Sequence, residues 1–213
     1  MRRVAYTALL ATLLAALFFF KPAPEVVPLK PNESILAFGD SITYGFGVEA
    51  RESYPSVLHF MTGIRVINAG INGETSEEGL ARLPMLLEDD SIRLMLLCFG
   101  ANDILQQRSM ERLRANLVRM IALAKSKGVD VILIGVPEFR IPGLASLPLY
   151  DGVAEAENVA YMPSLLPDVL EDRSLKADDV HPNAAGYRQM AERIAERLRK
   201  IGYIDSPLSR PRS

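Results

Sequence analysis

"IRLMLLCF", residues 92–99, is an almost unbroken apolar run in the middle of the chain. A strand with one wet face alternates apolar and polar residues. A run without alternation fits a strand buried on both faces, as in a parallel sheet covered by helices. "VDVILIGV", residues 129–136, reads the same way. "SILAF" (34–38), "IRVINA" (64–69) and the weaker "NVAYMP" (158–163) bring the expected strands to five.

Helical patterns separate these runs. "SYPSVLHFMTG" (53–63) is the first. A second begins near Thr75, where Thr75 and Glu78 have capping-box spacing. It carries Leu80, Leu83 and Leu87 on one face, and Pro84 is expected to kink or shorten it. "SMERLRANLVRMIALAKSKG" (109–128) places Leu113, Leu117, Met120, Ile121 and Ala124 at helical spacing and stops at Gly128. The last helix follows Asn183, a good N-cap, and is expected to bury Tyr187, Met190, Ala191, Ile194, Leu198 and Ile201. Strand and helix in alternation predict an α/β fold, a three-layer α/β/α sandwich around a mostly parallel five-stranded sheet. Such sheets bind ligands beyond the carboxyl ends of their strands.

The chain has 213 residues, 49% apolar and 23% charged, enough for one sizeable core. A net charge of -2 gives no overall basic field to recruit nucleic acid. The single cysteine, Cys98, lies in the central apolar run and has no disulfide partner. Two histidines, His59 and His181, are too few for a histidine-built zinc site, and no carboxylate loop motif for another metal is visible.

The N-terminus differs in kind. Arg2 and Arg3 precede an uncharged run over residues 4–20, at the lower limit for spanning a bilayer. The bulky Phe18, Phe19 and Phe20, then Lys21 and Pro22, leave no small-residue pair for cleavage, which favours an uncleaved anchor over a removed signal. The arginines put the N-terminus in the cytoplasm and the domain outside, in a single-pass arrangement in the cytoplasmic membrane. A secreted or periplasmic protein after signal cleavage is the alternative. The expected division is an anchor at 1–21, a proline-rich linker at 22–33, one domain at 34–203 and a disordered tail at 204–213.

Four polar or glycine-rich junctions fall where this fold places a site: "GDS" (39–41), "NAGINGET" (68–75), "GAND" (100–103) and "DDVHPN" (178–183). Ser41 alone fits a helix N-cap as well as a nucleophile. A serine hydroxyl becomes nucleophilic when a base takes its proton, and histidine titrates near working pH. Asp178 stands three residues before His181, close enough on one turn to hold the imidazole in one tautomer. Pro182 disfavours a helical His181 and keeps that turn apart from the helix behind it. The backbone N–H groups of Ser41 and Gly73 and the side-chain amide of Asn102 offer three donors for an oxyanion. The G-x-S-x-G pattern is not met, since Thr43 stands two residues after Ser41, and no GK[ST] phosphate loop occurs.

These four blocks, in order and on the right elements, resemble the SGNH or GDSL hydrolase family over residues 35–198. "NAGINGETSEEGLARLPMLL" (68–87) is especially similar to its bacterial thioesterase, arylesterase and lysophospholipase branch. The resemblance implies a flavodoxin-like sandwich. It makes Ser41 the nucleophile and an oxyanion donor, Gly73 (rather than Gly70) and Asn102 the other donors, and Asp178 and His181 the rest of the triad. It implies no metal or organic cofactor. Ile104 and Leu105 correspond to a loop that lines the acyl site in relatives. The segment "RIPGLASLPLYDGVAEAENVAYMP" (140–163) departs from the branch, being proline-broken where the family has a long helix, which bears on substrate preference.

Around the blocks, Asp179 reads as a solvated flanking acid, Asp40 and Asp103 as loop-bonding acids, and His59 as a packed or surface histidine. Tyr44 and Phe46 fit a pocket wall and a packed loop equally. The expected function is a serine esterase acting on acyl, aryl or lysophospholipid-type (thio)esters, as a monomer without nucleic-acid partners. The alternatives are a carbohydrate or cell-wall O-acetyl esterase and a catalytically idle, membrane-tethered binding module on the same fold.

Overall fold

A computed structural model describes residues 26–138 and 143–205. The five expected strands form one sheet: β1 (Ser34–Gly39), β2 (Arg65–Gly70), β3 (Ile92–Cys98), β4 (Asp130–Ile134) and β5 (Ala160–Met162). Their order is β2-β1-β3-β4-β5 and every pairing is parallel, so the expectation of a mostly parallel sheet becomes an all-parallel one. In β1 and β3 the apolar runs pay off as burial on both faces: every residue of β1 and all but Arg93 of β3 are buried. Cys98, at the end of β3, is fully enclosed, and burial pushes its thiol pKa well above normal.

The helices are α1 (Ser41–Tyr44), α2 (Tyr54–Thr62), α3 (Ser76–Leu86), α4 (Ala101–Leu105), α5 (Met110–Ser126), α6 (Pro148–Glu157), α7 (Leu165–Glu171) and α8 (Ala184–Ile201), with a 3-10 turn at Ala50–Glu52. α2 packs on α8 and α8 on α7, while α3 packs on α5 and α5 on α6, which gives the two helical layers. Thr75 and Glu78 make the expected capping box on α3, and the Asn183 side chain accepts from the Gly186 amide to cap α8. α3 runs through Pro84 and ends two residues later, so the proline sits in the last turn rather than mid-helix. Leu80 and Ile201, expected in buried stripes, are only half-buried.

The segment read as proline-broken contains a helix, α6, because Pro148 stands at its first position, where a missing N–H costs nothing. Pro167 likewise falls in the first turn of α7.

The described part of the linker is bound to the domain. The Leu29 N–H donates to the Tyr203 carbonyl (2.9 Å), and Val26 and Leu29 pack against the core. Ile204, just past the expected domain end, also packs there. Residues 206–213 and the apolar run at 4–20 lie outside the described residues. Among the described residues no helix is long and apolar enough to cross a membrane.

Candidate active site

The four polar junctions converge at the carboxyl edge of the sheet. Gly39 ends β1 and Ser41 opens the single turn of α1, whose cap is Asp40: its carboxylate accepts from the Ile42 N–H at 3.1 Å. A Cβ on Gly39 would lie 2.4 Å from the Cys98 carbonyl oxygen and closer still to the Thr43 hydroxyl, so only glycine lets the chain turn here. Ser41 is nearly buried, and its Oγ lies 3.0 Å from Nε2 of His181. The other ring nitrogen, Nδ1, is 2.9 Å from Oδ2 of Asp178. With the proton on Nδ1 and held by the carboxylate, Nε2 presents its lone pair to the Ser41 hydroxyl, the arrangement in which that hydroxyl can lose its proton.

Asp178 is fixed by its own turn. Its Oδ1 accepts from the Val180 and His181 amides, each at 2.8 Å. Partial burial opposes ionisation, but the Val180 amide, the His181 ring and the His181 amide together hold this carboxyl below the usual range. Pro182 bridges back to Lys176, which closes the turn ahead of α8.

The expected oxyanion donors lie on the segments that follow β1, β2 and β3. Gly73 has φ +76°, left-handed backbone that suits glycine, and a Cβ there would meet nothing within 4 Å. Gly70 differs: a Cβ there would lie 2.1 Å from the Tyr44 nitrogen, so its role is close packing of β2 on α1. Among the described residues neither the Ser41 nor the Gly73 N–H donates to another backbone carbonyl. One Nδ2 hydrogen of Asn102 goes to the Glu74 carbonyl at 2.9 Å, which leaves the second available. The neighbouring Asp103 is buried and accepts from the Ser76 amide (2.9 Å) and hydroxyl (2.7 Å), tying α4 to the start of α3.

Asp40 and Asp103 thus bond loops, as read from the sequence. Asp40 is fully enclosed with one oxygen unpartnered. Burial, opposed by the Ile42 amide and reinforced by Asp103 and Glu74, pushes its pKa up to about 7. Asp179 is 96% exposed and pairs with Lys176. His59 bonds the Ile64 carbonyl just past the C-terminus of α2. The open choice for Phe46 resolves toward the site: its ring packs on the His181 ring, centroids 4.5 Å apart. Ile104 packs partly against the core while Leu105 is exposed. Sequence reasoning missed Glu74 and Arg82, which form a largely shielded pair beside the Gly73 loop. The available signal was an arginine at position 82, between Ala81 and Leu83 on a helix otherwise read as amphipathic.

A cavity of about 790 Å³ lies between α2 and α8 and is lined by none of the residues above.

Comparison with known proteins gives the same assignment as the sequence blocks. The model of the GDSL-like lipase/acylhydrolase family matches residues 37–189. An arylesterase of Vibrio mimicus is 32% identical over 182 residues, covering 79% of this chain and 90% of its own. Thioesterase 1/protease 1/lysophospholipase L1 of Escherichia coli K12 is 27% identical, over 82% of this chain and 87% of its own. The crystal structure of TesA superposes with a TM-score of 0.70 at 29% identity, over 79% of this chain and 99% of that one. A family match over most of the domain, with a relative this similar along nearly its whole length, makes the chain a member of the GDSL-like lipase/acylhydrolase family.

Proposed function

We propose that the chain is a serine esterase that hydrolyses carboxylic ester or thioester bonds of acyl, aryl or lysophospholipid-type substrates through an acyl-enzyme. The observation that carries this is the continuous line of hydrogen bonds from Asp178 through His181 to Ser41 at the carboxyl edge of the sheet. In this reading Oγ of Ser41 attacks the substrate carbonyl carbon as its proton passes to Nε2 of His181. The carbonyl oxygen becomes an oxyanion and accepts from the Ser41 and Gly73 amides and Asn102 Nδ2. Each such donor contributes roughly 10²–10³ in kcat. His181 then returns the proton to the leaving alcohol or thiol. Water, deprotonated by His181, attacks the acyl-enzyme and releases the acid.

Apolar substrates are supported by the rim. Tyr44, Phe46, Ile71 and Leu105 are large, exposed and apolar or aromatic, and all follow the carboxyl ends of β1, β2 or β3. Exposed apolar side chains gathered at one edge mark a binding surface. The single-pass anchor through residues 4–20, with the domain outside the cytoplasm, belongs to this reading and is supported by the sequence alone.

The test is hydrolysis of aryl esters of increasing acyl length by the full chain in detergent, beside Ser41→Ala. Activity that peaks at medium or long chains and disappears in the variant is expected. Activity confined to acetate would move the assignment to an O-acetyl esterase. No activity at any length, with no labelling by a serine-directed phosphonate, would leave a binding module.

A further inference from the structure

We infer that Arg82, through its pair with Glu74, is a positioning residue for the oxyanion donors, an inference that rests on the esterase reading above. The guanidinium of Arg82 takes Glu74 in a two-point clasp, Nε to Oε1 at 2.6 Å and Nη2 to Oε2. Nη2 also donates to the Ala69 carbonyl at 2.7 Å and reaches the Gly39 carbonyl at 3.5 Å. The same group lies over the Phe38 ring, 4.6 Å from its centroid. These partners are not scattered. Gly39 ends β1 two residues before Ser41, Ala69 lies one residue from the end of β2, and Glu74 directly follows Gly73.

Glu74 carries the link onward, because its backbone carbonyl is the acceptor for Asn102 Nδ2. One side chain therefore ties together the three segments that present the Ser41, Gly73 and Asn102 donors. The pair is well shielded, with Glu74 5% and Arg82 18% exposed, so it is a firm clamp rather than a surface ion pair. The Gly73 loop needs such a clamp. Among the described residues its backbone–backbone bonds are two long ones, Ile71 N–H to Gly39 O at 3.2 Å and Glu74 N–H to Ile71 O at 3.3 Å. A planar fork is required, since a lysine cannot hold two carboxylate oxygens and a carbonyl in fixed directions.

Arg82→Lys tests this, together with the double variant Glu74→Leu/Arg82→Met. The double variant removes both charges, a change that buried pairs often tolerate without loss of stability. Melting temperatures establish that each is folded at the assay temperature, and wild type is assayed and labelled with a fluorophosphonate alongside. The expected result is a fall in kcat of about 10²-fold, the scale of a donor misplaced by about 1 Å. KM should stay within about twofold, since ground-state binding does not use the donors. An alkyl boronic acid, which forms a tetrahedral adduct on serine, should lose affinity by the same factor as kcat/KM. A merely structural pair would not couple these two readings.

Folded variants with kcat within about threefold of wild type, or with reduced kcat but unchanged boronate affinity, would overturn the inference. If Arg82→Lys does not fold, the double variant decides on the same readings. If wild type neither hydrolyses esters nor takes the label, the esterase reading itself falls, and the inference with it. An active, labelled wild type beside unaffected variants removes only the role of Arg82.

Discussion

Ser41 and His181 lie 3.0 Å apart but belong to two kinds of structure. Ser41 follows β1, an interior strand of the sheet buried along its whole length. The loops beside it are tied down by long-range partners: Arg82 on Glu74, Ala69 and Gly39, and Asp103 on Ser76. His181 sits on a surface turn whose bonds are nearly all local. Asp178 bonds the next residues, the Ala177 amide donates to the His181 carbonyl, and the Asn183 amide to that of Leu175. The Asp178 side chain is 48% exposed. The nucleophile and donors are thus held by the global fold, whereas the base is held by a few bonds that can open without it. Substitutions on the turn should cost activity with little stability, and those around Ser41 should cost both.

The largest expected effect is His181→Ala, a loss on the order of 10⁶ in kcat for removing the base of a triad, with the melting temperature nearly unchanged. A large melting shift would break the comparison. Asp178→Asn comes next, at about 10⁴-fold in kcat, because an amide in that place favours the wrong imidazole tautomer. Steady-state kinetics checks both. Asn102→Ala is expected to lower kcat by roughly 10²–10³-fold. It should also lower the melting temperature measurably, since the Glu74 carbonyl loses its donor.

Asp40 sharpens the contrast through pH. Its carboxyl, at about 7 in the fold, stays protonated where the unfolded chain has ionised, from roughly pH 4 upward. The unfolded state gains by releasing that proton, so stability present below about pH 4 falls as pH rises through the folded value. Asp40→Asn should flatten the fall in melting temperature between about pH 5 and pH 8, read by calorimetry. The smallest effect is Asp179→Asn, within about 0.5 kcal/mol in stability and without change in kcat, beside the severe loss at its neighbour Asp178.

The legibility of these regions in the sequence follows the same division. β3 and β4 announce themselves because burial on both faces forces continuous apolar runs, and α5 because one buried face imposes helical spacing. The turn around His181 is legible because Asp178, His181 and Pro182 act over three to four residues. α6 and α7 were hidden because proline breaks a helix or starts one according to position, and Pro148 and Pro167 both lie in first turns. Arg82 and Glu74 were hidden because their partners Gly39, Ala69 and Asn102 are distant in sequence and meet only once the sheet is assembled. The packing of Phe46 on His181, 135 positions away, is of the same kind.

Cys98 gives the molecule a built-in reporter. It is the one thiol of the chain and is fully enclosed at the end of the central strand. The thiolate is the nucleophile that attacks an alkylating reagent, so alkylation has to wait for an opening that exposes β3. When closing outpaces modification, the labelling rate reads the population of that open state. A substitution on the His181 turn that abolishes activity and leaves Cys98 as slow to label as before would have stopped the chemistry while the sheet stayed shut.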